Sequence, residues 1–539
     1  MTVQATLTSQ VRDWIADDPD AGDAAELQAL LDVGDTAELA DRFSGPLTFG
    51  TAGLRGPLRA GPNGMNTAVV RRAAAGIAAQ LRTDGFAGGI VVIGYDGRHR
   101  SREFAEDSAA VFAAAGFDAR LLPRLLPTPV LAFAVGHLGA AAAVMVTASH
   151  NPPQDNGYKV YAADGAQIVP PTDSLIEAQI RAVPSVRAIA LSPDYTTLGE
   201  SIVHAYVAAI VGLVAPDSPR DLRVVHTAMH GVGSEVIRAV FAAAGFGGPH
   251  EVAEQAEPDP EFSTVAFPNP EEPGAMDLAL ALAARTGADL IIANDPDADR
   301  CAVGVPFPDQ AGQWRMLRGD EVGVLLADWL LQKGIAGTYA TTIVSSTMLS
   351  AIAAKHGVPF AETLTGFKWI SRAAPDLAYG YEEALGYAVA PAIVRDKDGI
   401  SAALLIAELA ATLKAQGSSI PRRLAALAAE YGLYATRQLS WRVEDLSLIG
   451  QAMARLRAAP PTELIGRPAT VTDLAPDNDV LVLRFAGGRA VVRPSGTEPK
   501  CKAYLELVIA DATDLPAAEA SAAAGLDRLA AELSAALPF

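Results

Sequence analysis

At 539 residues the chain is too long for one hydrophobic core, and its length implies roughly three to four domains. Half of its residues are hydrophobic and its mean hydropathy is +0.21, so it can bury large cores and does not read as disordered. Its 62 acidic against 42 basic side chains, a formal charge of −20 with no basic run, argue against a nucleic-acid partner and require any phosphate-bearing substrate to be met by local cations.

Residues 1–20 are acidic and lack a basic-then-apolar leader, so no signal peptide is expected. Two cysteines, Cys301 and Cys501, give no disulfide framework, and the expected setting is reduced and cytoplasmic. Gly50-Thr51-Ala52-Gly53-Leu54-Arg55-Gly56 is a glycine-spaced loop with one cation, Arg55, and is not specific alone. Residues 89–94 predict a strand and 101–115 a helix. The apolar stretch 129–148 raises the idea of a membrane span. Its Ala and Gly content, His137 and its division into helical and strand-like halves predict instead a helix–strand pair, with no membrane partner.

Within that stretch, residues 140–146 predict a buried strand of a parallel sheet. An irregular loop follows, forced by Asn151, Pro152, Pro153, Asn156 and Gly157. Ser149 stands at its mouth, the carboxyl end of a strand, where α/β proteins put their ligands. Alone, such a serine is more often a cap. His150 suits hydrogen bonding or positioning better than general-base work. Lys159 is expected to start the next strand, either solvated or folded back over the loop as a proton shuttle or phosphate ligand.

The alternation continues with strands at 222–227, 288–293 and 339–344, and helices at 234–244 and after Ser346. The heptapeptide Val-Phe-Ala-Ala-Ala-Gly-Phe occurs at 111–117 and again at 240–246, each time closing a helix on glycine, which hints at repeated domains. Directly after the strand at 288–293 comes Asp295-Pro296-Asp297-Ala298-Asp299-Arg300, whose three carboxylates can converge on a hard cation. It is no EF-hand, because Arg300 and Pro306 stand where that loop needs Gly and Glu. Few protein ligands, with room for a phosphate oxygen, favour Mg²⁺ over Ca²⁺.

Gly380-Tyr381-Glu382-Glu383-Ala384-Leu385-Gly386 pairs two carboxylates that can bind sugar hydroxyls or form a solvated edge. The stretch 432–443 reads as the approach to a last domain of different, α+β character. That domain has a hairpin at 479–492 turning on Gly487-Gly488, a strand at 502–509 and a closing helix at 517–536. Arg493-Pro494-Ser495-Gly496-Thr497 suits an anion cradle, with hydroxyls from Ser495 and Thr497, open backbone at Gly496 and a bidentate fork from Arg493.

Together, Ser-His-Asn-Pro at 149–152 and Asp-x-Asp-x-Asp-Arg at 295–300, with the other motifs in order, resemble the α-D-phosphohexomutase family from about residue 50 to 504. The resemblance implies an α/β fold of four domains around a central cleft: three similar βα domains with mixed sheets and a C-terminal α+β domain. The expected boundaries are 1–200, 201–315, 316–435 and 436–539. It implies that Ser149 is the phosphoserine and that Asp295, Asp297 and Asp299, with a phosphoserine oxygen, hold Mg²⁺. Arg300, Arg55 and Lys159 are implied beside the transferred group, with Lys159 moving the proton. Lys368, in Thr365-Gly366-Phe367-Lys368-Trp369, is a second candidate for acid–base or phosphate work in a loop whose Gly366 helps to orient the sugar. Glu382 would bind sugar hydroxyls and His150 the substrate. Arg493, Ser495, Gly496 and Thr497 would bind the non-reacting phosphate.

The expected reaction is reversible transfer between the 1- and 6-positions of a hexose phosphate, glucose or mannose, through a bisphosphate that also serves as activator, such as glucose 1,6-bisphosphate. Many members carry Glu-x-Ser where this chain has Glu382-Glu383-Ala384, and its Gly-Phe-Lys-Trp and Tyr-Glu-Glu-Ala-Leu-Gly segments are similar to the subgroup that includes phosphopentomutases. A pentose 1-phosphate/5-phosphate reaction is therefore the alternative, followed by a phosphoserine-dependent phosphomonoesterase and a silent sugar-phosphate sensor. Three carboxylates and a phosphoserine carry about five negative charges, taking about −2 for the phosphate. The cation and the basic side chains named above are what make a second anion welcome.

Overall fold

The computed structural model describes residues 3–50, 53–307, 313–443, 445, 447–495 and 500–537. Packing divides the chain into two compact units. One comprises Met1–Leu317, Phe367–Gly380 and Gly386–Ala415, the other Arg318–Gly366, Tyr381–Leu385 and Gln416–Phe539.

The first unit opens with three helices, Val3–Asp17, Ala21–Val33 and Thr36–Arg42. Asp20 and Asp35 cap the second and third by accepting first-turn backbone N–H groups, so part of the acidity near the N-terminus serves helix starts. The first sheet follows, built from β1 (Gly53–Pro57), β2 (Ile90–Tyr95), β3 (Asp118–Leu121), β4 (Ala142–Val146), β5 (Asp155–Ala162) and β6 (Thr196–Thr197) in the order β1-β5-β4-β2-β3-β6. β2 pairs in parallel with β3 and β4, while β5 runs antiparallel to β4 and β1. β4 is buried along its whole length and β2 along all but its first residue, which is why both read as unbroken apolar runs. The stretch 129–148 is a helix–strand pair: the helix Thr128–Leu138 ends on Gly139 in the left-handed region (φ 64°) and turns into β4. Among the described residues no single helix is long and apolar enough to cross a membrane.

The second sheet is β7 (Val224–Thr227), β8 (His250–Glu251), β9 (Leu290–Ala293), β10 (Ala302–Pro306) and β11 (Trp314–Met316), in the order β11-β10-β9-β7-β8. β7 is parallel to β8 and β9, and β10 is antiparallel to β9. Strands β7 to β10 thus take the places of β2 to β5. The duplicated heptapeptide lies at matching points, the end of the helix after β2 and of the helix after β7. In each copy the glycine has positive φ (85° at Gly116, 83° at Gly245) and folds the final phenylalanine back onto the last turn. The ring pairs Phe112–Phe117 and Phe241–Phe246 lie 6.2 and 5.5 Å apart. The same correspondence makes the Ser149 loop after β4 and the aspartate loop after β9 topological counterparts.

In the second unit β12 (Thr338–Thr342) is parallel to β13 (Phe360–Thr363). β14 (Leu377–Glu382), whose last two residues lie in this unit, and β15 (Gly386–Ala388) follow in the chain. The last sheet comprises β16 (Leu433–Arg442), β17 (Glu463–Leu464), β18 (Arg467–Asp473), β19 (Leu481–Phe485), β20 (Gly488–Pro494) and β21 (Lys500–Ile509), ordered β16-β21-β20-β19-β18-β17. Its core sets Leu483, Phe485, Leu505 and Leu507 with Leu526, Leu529 and Leu533 of the closing helix. The expected hairpin at 479–492 forms and turns at Gly487 (φ 76°). Residues 432–443, read from sequence as an approach segment, instead form β16, which pairs with β21 from Leu433↔Ile509 to Arg442↔Lys500. Leu433, Ala435, Leu439 and Trp441 pack on the core while Gln438, Ser440 and Arg442 are exposed, an alternation interrupted by Arg437 on the apolar face of this edge strand.

Candidate active site

β4 delivers the chain, fully buried, to a turn at Thr147-Ala148-Ser149-His150-Asn151. Thr147 Oγ1 accepts the N–H of Ser149 at 2.9 Å, and Ser149 takes φ 53°, a left-handed conformation that costs a non-glycine residue energy. Thr227-Ala228-Met229-His230-Gly231 after β7 forms the same turn, with Thr227 Oγ1 accepting from Met229 N at 3.0 Å and φ 47° at Met229. The turn therefore follows from the local Thr-Ala-x-His sequence, and the serine uses it. Ser149 Oγ donates to Asp295 Oδ2 at 2.7 Å and lies 3.2 Å from His150 Nδ1.

The loop is shorter than the sequence suggests, because Asn156 and Gly157 already belong to β5. Asn156 is buried and donates to His99 O (2.9 Å) and Ser101 Oγ (3.0 Å). A Cβ at Gly157 would lie 2.5 Å from Thr147 O and 2.9 Å from Leu54 O, so the glycine serves close strand approach rather than a bend. Lys159 likewise sits inside β5, opposite Met145 and Gly53, not at a strand start.

Asp295, Asp297 and Asp299 are buried, and their carboxylate oxygens converge within 4.8 Å of one another. Ala298 takes φ 55° between the last two. Lys159 Nζ lies 2.6 Å from Asp297 Oδ2 and 2.8 Å from Asp299 Oδ2, so the lysine is folded over the loop and not solvated. Thr128 Oγ1 donates to Asp297 Oδ2 at 2.6 Å. Lys397 Nζ lies 3.4 Å from Asp299 Oδ2. Arg300 donates its backbone N–H to Asp295 Oδ1 (3.0 Å), and its guanidinium lies 3.9 Å from Asp295 and 3.7 Å from Glu271.

These neighbours divide the carboxylates. Burial, then the charges of Asp299 and Asp297, push Asp295 up to about 8. Burial also opposes ionisation of Asp299, but Lys159, Lys397 and Arg300 hold it well below the ordinary range. Burial disfavours the Lys159 ammonium, and Asp297 and Asp299 more than offset that, so it stays charged. His150 is driven far below its ordinary value by burial, then by Arg300 and Arg55, so its ring is neutral at pH 7. The cluster fits Mg²⁺: its donors are all hard oxygens, and Asp297 Oδ1 and Asp299 Oδ1 are buried without a hydrogen-bond partner among the described residues.

Arg55, on β1 opposite Gly157, donates to Asn151 Oδ1 at 3.1 Å, which ties it to the serine loop. Lys368 lies on the short helix Phe367–Ile370, its ammonium 5.2 Å over the Trp369 ring. Burial lowers its pKa, and among the described residues no hydrogen bond or ion pair joins it to the aspartates. In the second unit Glu382 ends β14. Glu383 accepts from Ser345 Oγ (2.9 Å) and Thr342 Oγ1 (3.3 Å), and burial, then Glu382 and Asp320, push it up to about 7. Arg493, on β20, reaches the Tyr504 hydroxyl, which also feels Glu383 and Glu382. Ser495 donates its N–H to Lys500 O at 2.8 Å, and Gly366 takes φ 110°. Gly496 and Thr497 lie outside the described residues.

The first unit thus gathers Ser149, His150, Arg55, Lys159, Arg300 and the aspartates, and the second gathers Glu382, Glu383 and Arg493 around Tyr504. Sequence reasoning missed Lys397, Thr128 and Arg98, a buried arginine behind the serine loop. A usable signal existed for two of them: Asp96-Gly97-Arg98 directly follows an apolar strand, and Arg395-Asp396-Lys397-Asp398 precedes an apolar helix.

Family comparisons agree with this layout. Models of phosphoglucomutase/phosphomannomutase alpha/beta/alpha domains I, II and III match residues 46–187, 204–306 and 318–431, and the C-terminal domain model matches 441–525. The Haemophilus influenzae protein named "Probable phosphomannomutase" is 48% identical over 456 residues, covering 82% of this chain and 93% of its own length. The Homo sapiens phosphopentomutase is 36% identical, covering 93% of this chain and 92% of its own. For the fold, a phosphoglucomutase/phosphomannomutase family protein from Burkholderia thailandensis superimposes with a TM-score of 0.70 at 21% identity, over 91% of this chain and 97% of that one. With four domain matches in order from residue 46 to residue 525, the chain belongs to the phosphoglucomutase/phosphomannomutase family of the α-D-phosphohexomutase superfamily.

Proposed function

We propose that the protein is a phosphosugar mutase that relays a phosphoryl group through Ser149. The observation that carries this reading is the 2.7 Å contact from Ser149 Oγ to Asp295, in a buried three-carboxylate cluster ringed by Lys159, Arg300 and Lys397. A magnesium ion held by Asp295, Asp297, Asp299 and an oxygen of the phosphoserine would neutralise two of the charges there and polarise the phosphoryl group. The residues do the remaining work. A hydroxyl of the sugar monophosphate attacks the phosphoserine; its O–P bond forms as the Ser149 Oγ–P bond breaks. Lys159, charged at rest, is the carrier we assign: it gives a proton to the departing Ser149 Oγ and takes up the one the attacking hydroxyl loses. The resulting bisphosphate turns over and returns its other phosphoryl group to Ser149. Arg300 and Arg55 supply positive charge for the transferred group, and His150, neutral, orients Ser149 Oγ. Glu382 binds sugar hydroxyls, and Arg493 with Ser495, Gly496 and Thr497 binds the phosphate that does not react. Such transfer depends mainly on positioning and charge neutralisation.

For the sugar we propose a hexose 1-phosphate/6-phosphate pair, glucose or mannose, supported by the family models and the Haemophilus relative. Two observations favour a second reading, pentose 1-phosphate/5-phosphate: the missing hydroxyl at Ala384, and a phosphopentomutase relative that covers nearly the whole chain. Comparing kcat/KM for glucose, mannose, ribose and deoxyribose 1-phosphates, with Mg²⁺ and catalytic glucose 1,6-bisphosphate, separates them. A hexose leading the series supports the first reading and a pentose the second. Inorganic phosphate released as fast as any isomerisation would replace both with a phosphomonoesterase.

A further inference from the structure

Ser149 holds a left-handed backbone conformation, and the side of its loop away from the aspartates converges on one buried guanidinium. Arg98 Nη2 donates to Ser149 O (2.6 Å) and Asn151 O (2.5 Å), and Nη1 donates to Pro152 O (2.8 Å) and Asp155 O (3.1 Å). The Arg98 side chain is fully buried, and its guanidinium lies 4.8 Å over the Phe262 ring. Asp96 faces Arg98 Nε at 3.4 Å and also binds the Thr147 hydroxyl, whose oxygen in turn accepts the Ser149 N–H. The pair therefore grips the loop at both ends, Asp96 through Thr147 and Arg98 through four carbonyls.

Among the described residues Arg98 donates no hydrogen bond to the three aspartates, although it feels the charges of Asp297 and Asp295. Arg98→Lys keeps that charge, so what the substitution removes is the grip on the Ser149 loop. The repeat between the first two sheets points the same way. The segment after β2 supports the loop after β4, as the segment after β7 supports the loop after β9: in the second sheet Val232 N–H donates to Pro296 O at 2.8 Å, and Gly231 packs against Pro296. In the first sheet backbone contact is replaced by Arg98. A guanidinium can bind four carbonyls in one plane, whereas an ammonium, with three donors and no fork, cannot.

We propose that Arg98, held by Asp96, is a positioning residue that fixes the phosphoryl-accepting and phosphoryl-donating geometry of Ser149. This rests on the reading of Ser149 as the phosphoryl relay. Its loss lowers the rate of transfer in both directions and leaves sugar binding and metal affinity as they are.

The test compares wild type, Arg98→Lys, Asp96→Asn and a control, Arg72→Ala, which removes an arginine bound to Val183 O and Asp17 elsewhere in the same domain. Each is assayed well below its melting temperature for kcat and KM, for the rate of Ser149 phosphorylation by glucose 1,6-bisphosphate followed by quenched intact mass, and for Mg²⁺ affinity. Arg98→Lys should lose on the order of a hundredfold in both kcat and phosphorylation rate, the scale of an ångström-sized misplacement. KM and Mg²⁺ affinity should stay within about twofold, and Arg72→Ala should match wild type in kcat. Asp96→Asn should show the same pattern more weakly, and it carries the test if Arg98→Lys does not fold. Wild-type rates in the folded Arg98→Lys or Asp96→Asn protein overturn the proposal, as does a rise in KM alone or a loss that Arg72→Ala shares. A wild-type protein that never phosphorylates Ser149 overturns the relay itself, a result distinct from any of these.

Discussion

Replacing Lys159 by methionine removes an ammonium while keeping most of the side-chain volume, and the cluster fixes what should follow. That ammonium lies 2.6 and 2.8 Å from Asp297 and Asp299, with all three side chains buried. Removing one partner of such a group costs about 3–5 kcal/mol, because the carboxylates stay behind without it. For a unit of about 360 residues, an unfolding entropy of about 2.1 cal/mol/K per residue gives about 0.75 kcal/mol/K. The melting temperature of that unit should therefore fall by about 4–7 °C, nearer the lower figure because Lys397 still faces Asp299. Calorimetry in EDTA measures the shift. Saturating Mg²⁺ should close most of the gap, since a divalent charge replaces the lost one, and Mg²⁺ should bind the variant more tightly because no ammonium competes. Isomerisation should drop by about 10²–10⁴ if Lys159 carries the proton. A metal-free variant melting at or above the wild-type temperature, or one that Mg²⁺ stabilises no more than wild type, would refute the reasoning.

The raised pKa of Asp295 predicts a pH effect of definite sign. Its folded value of about 8 lies above the unfolded carboxyl value of about 3.9, so its contribution to stability is full at low pH and is lost as pH rises towards about 8. Melting temperatures in EDTA should therefore fall between pH 5 and pH 8 more steeply for wild type than for Asp295→Asn; equal slopes would contradict the assignment. A Cβ at Gly231 would lie 2.3 Å from Pro296 Cα and 2.4 Å from Pro296 O, so Gly231→Ala should push the aspartate loop out of place. Mg²⁺ affinity should weaken by about 10–100-fold, the range for loss of a residue that supports a metal site, and titration calorimetry returning the wild-type constant would count against that support.

Much of the molecule is legible in the sequence because its signals are local. β4 and β9 are apolar runs that end in polar loops, and the carboxylates at 295, 297 and 299 converge as their alternate spacing suggests. The duplicated heptapeptide is a pair of helix ends, and the sheet order shows that it marks a real repeat. What escapes depends on partners far away in the chain. β16 carries alternation at Leu439 and Trp441, but Arg437 interrupts its apolar face and its pairing partner, β21, lies some seventy residues on by the register. Gly157 reads as a bend until the carbonyls of Thr147 and Leu54 are seen beside it. Arg98 and Lys397 are ordinary charged residues in sequence, and only folding brings one behind Ser149 and the other onto Asp299.

The most direct test of the central claim follows the phosphoryl group itself. The protein is mixed with Mg²⁺ and labelled glucose 1,6-bisphosphate, the label is located by peptide mass spectrometry, and a sugar 1-phosphate is then added as a chase. The account predicts one phosphoryl group, on Ser149, that leaves to the sugar at least as fast as overall turnover, and a folded Ser149→Ala protein with neither label nor turnover. Label on another residue, label that the sugar cannot remove, or an active Ser149→Ala protein would contradict it.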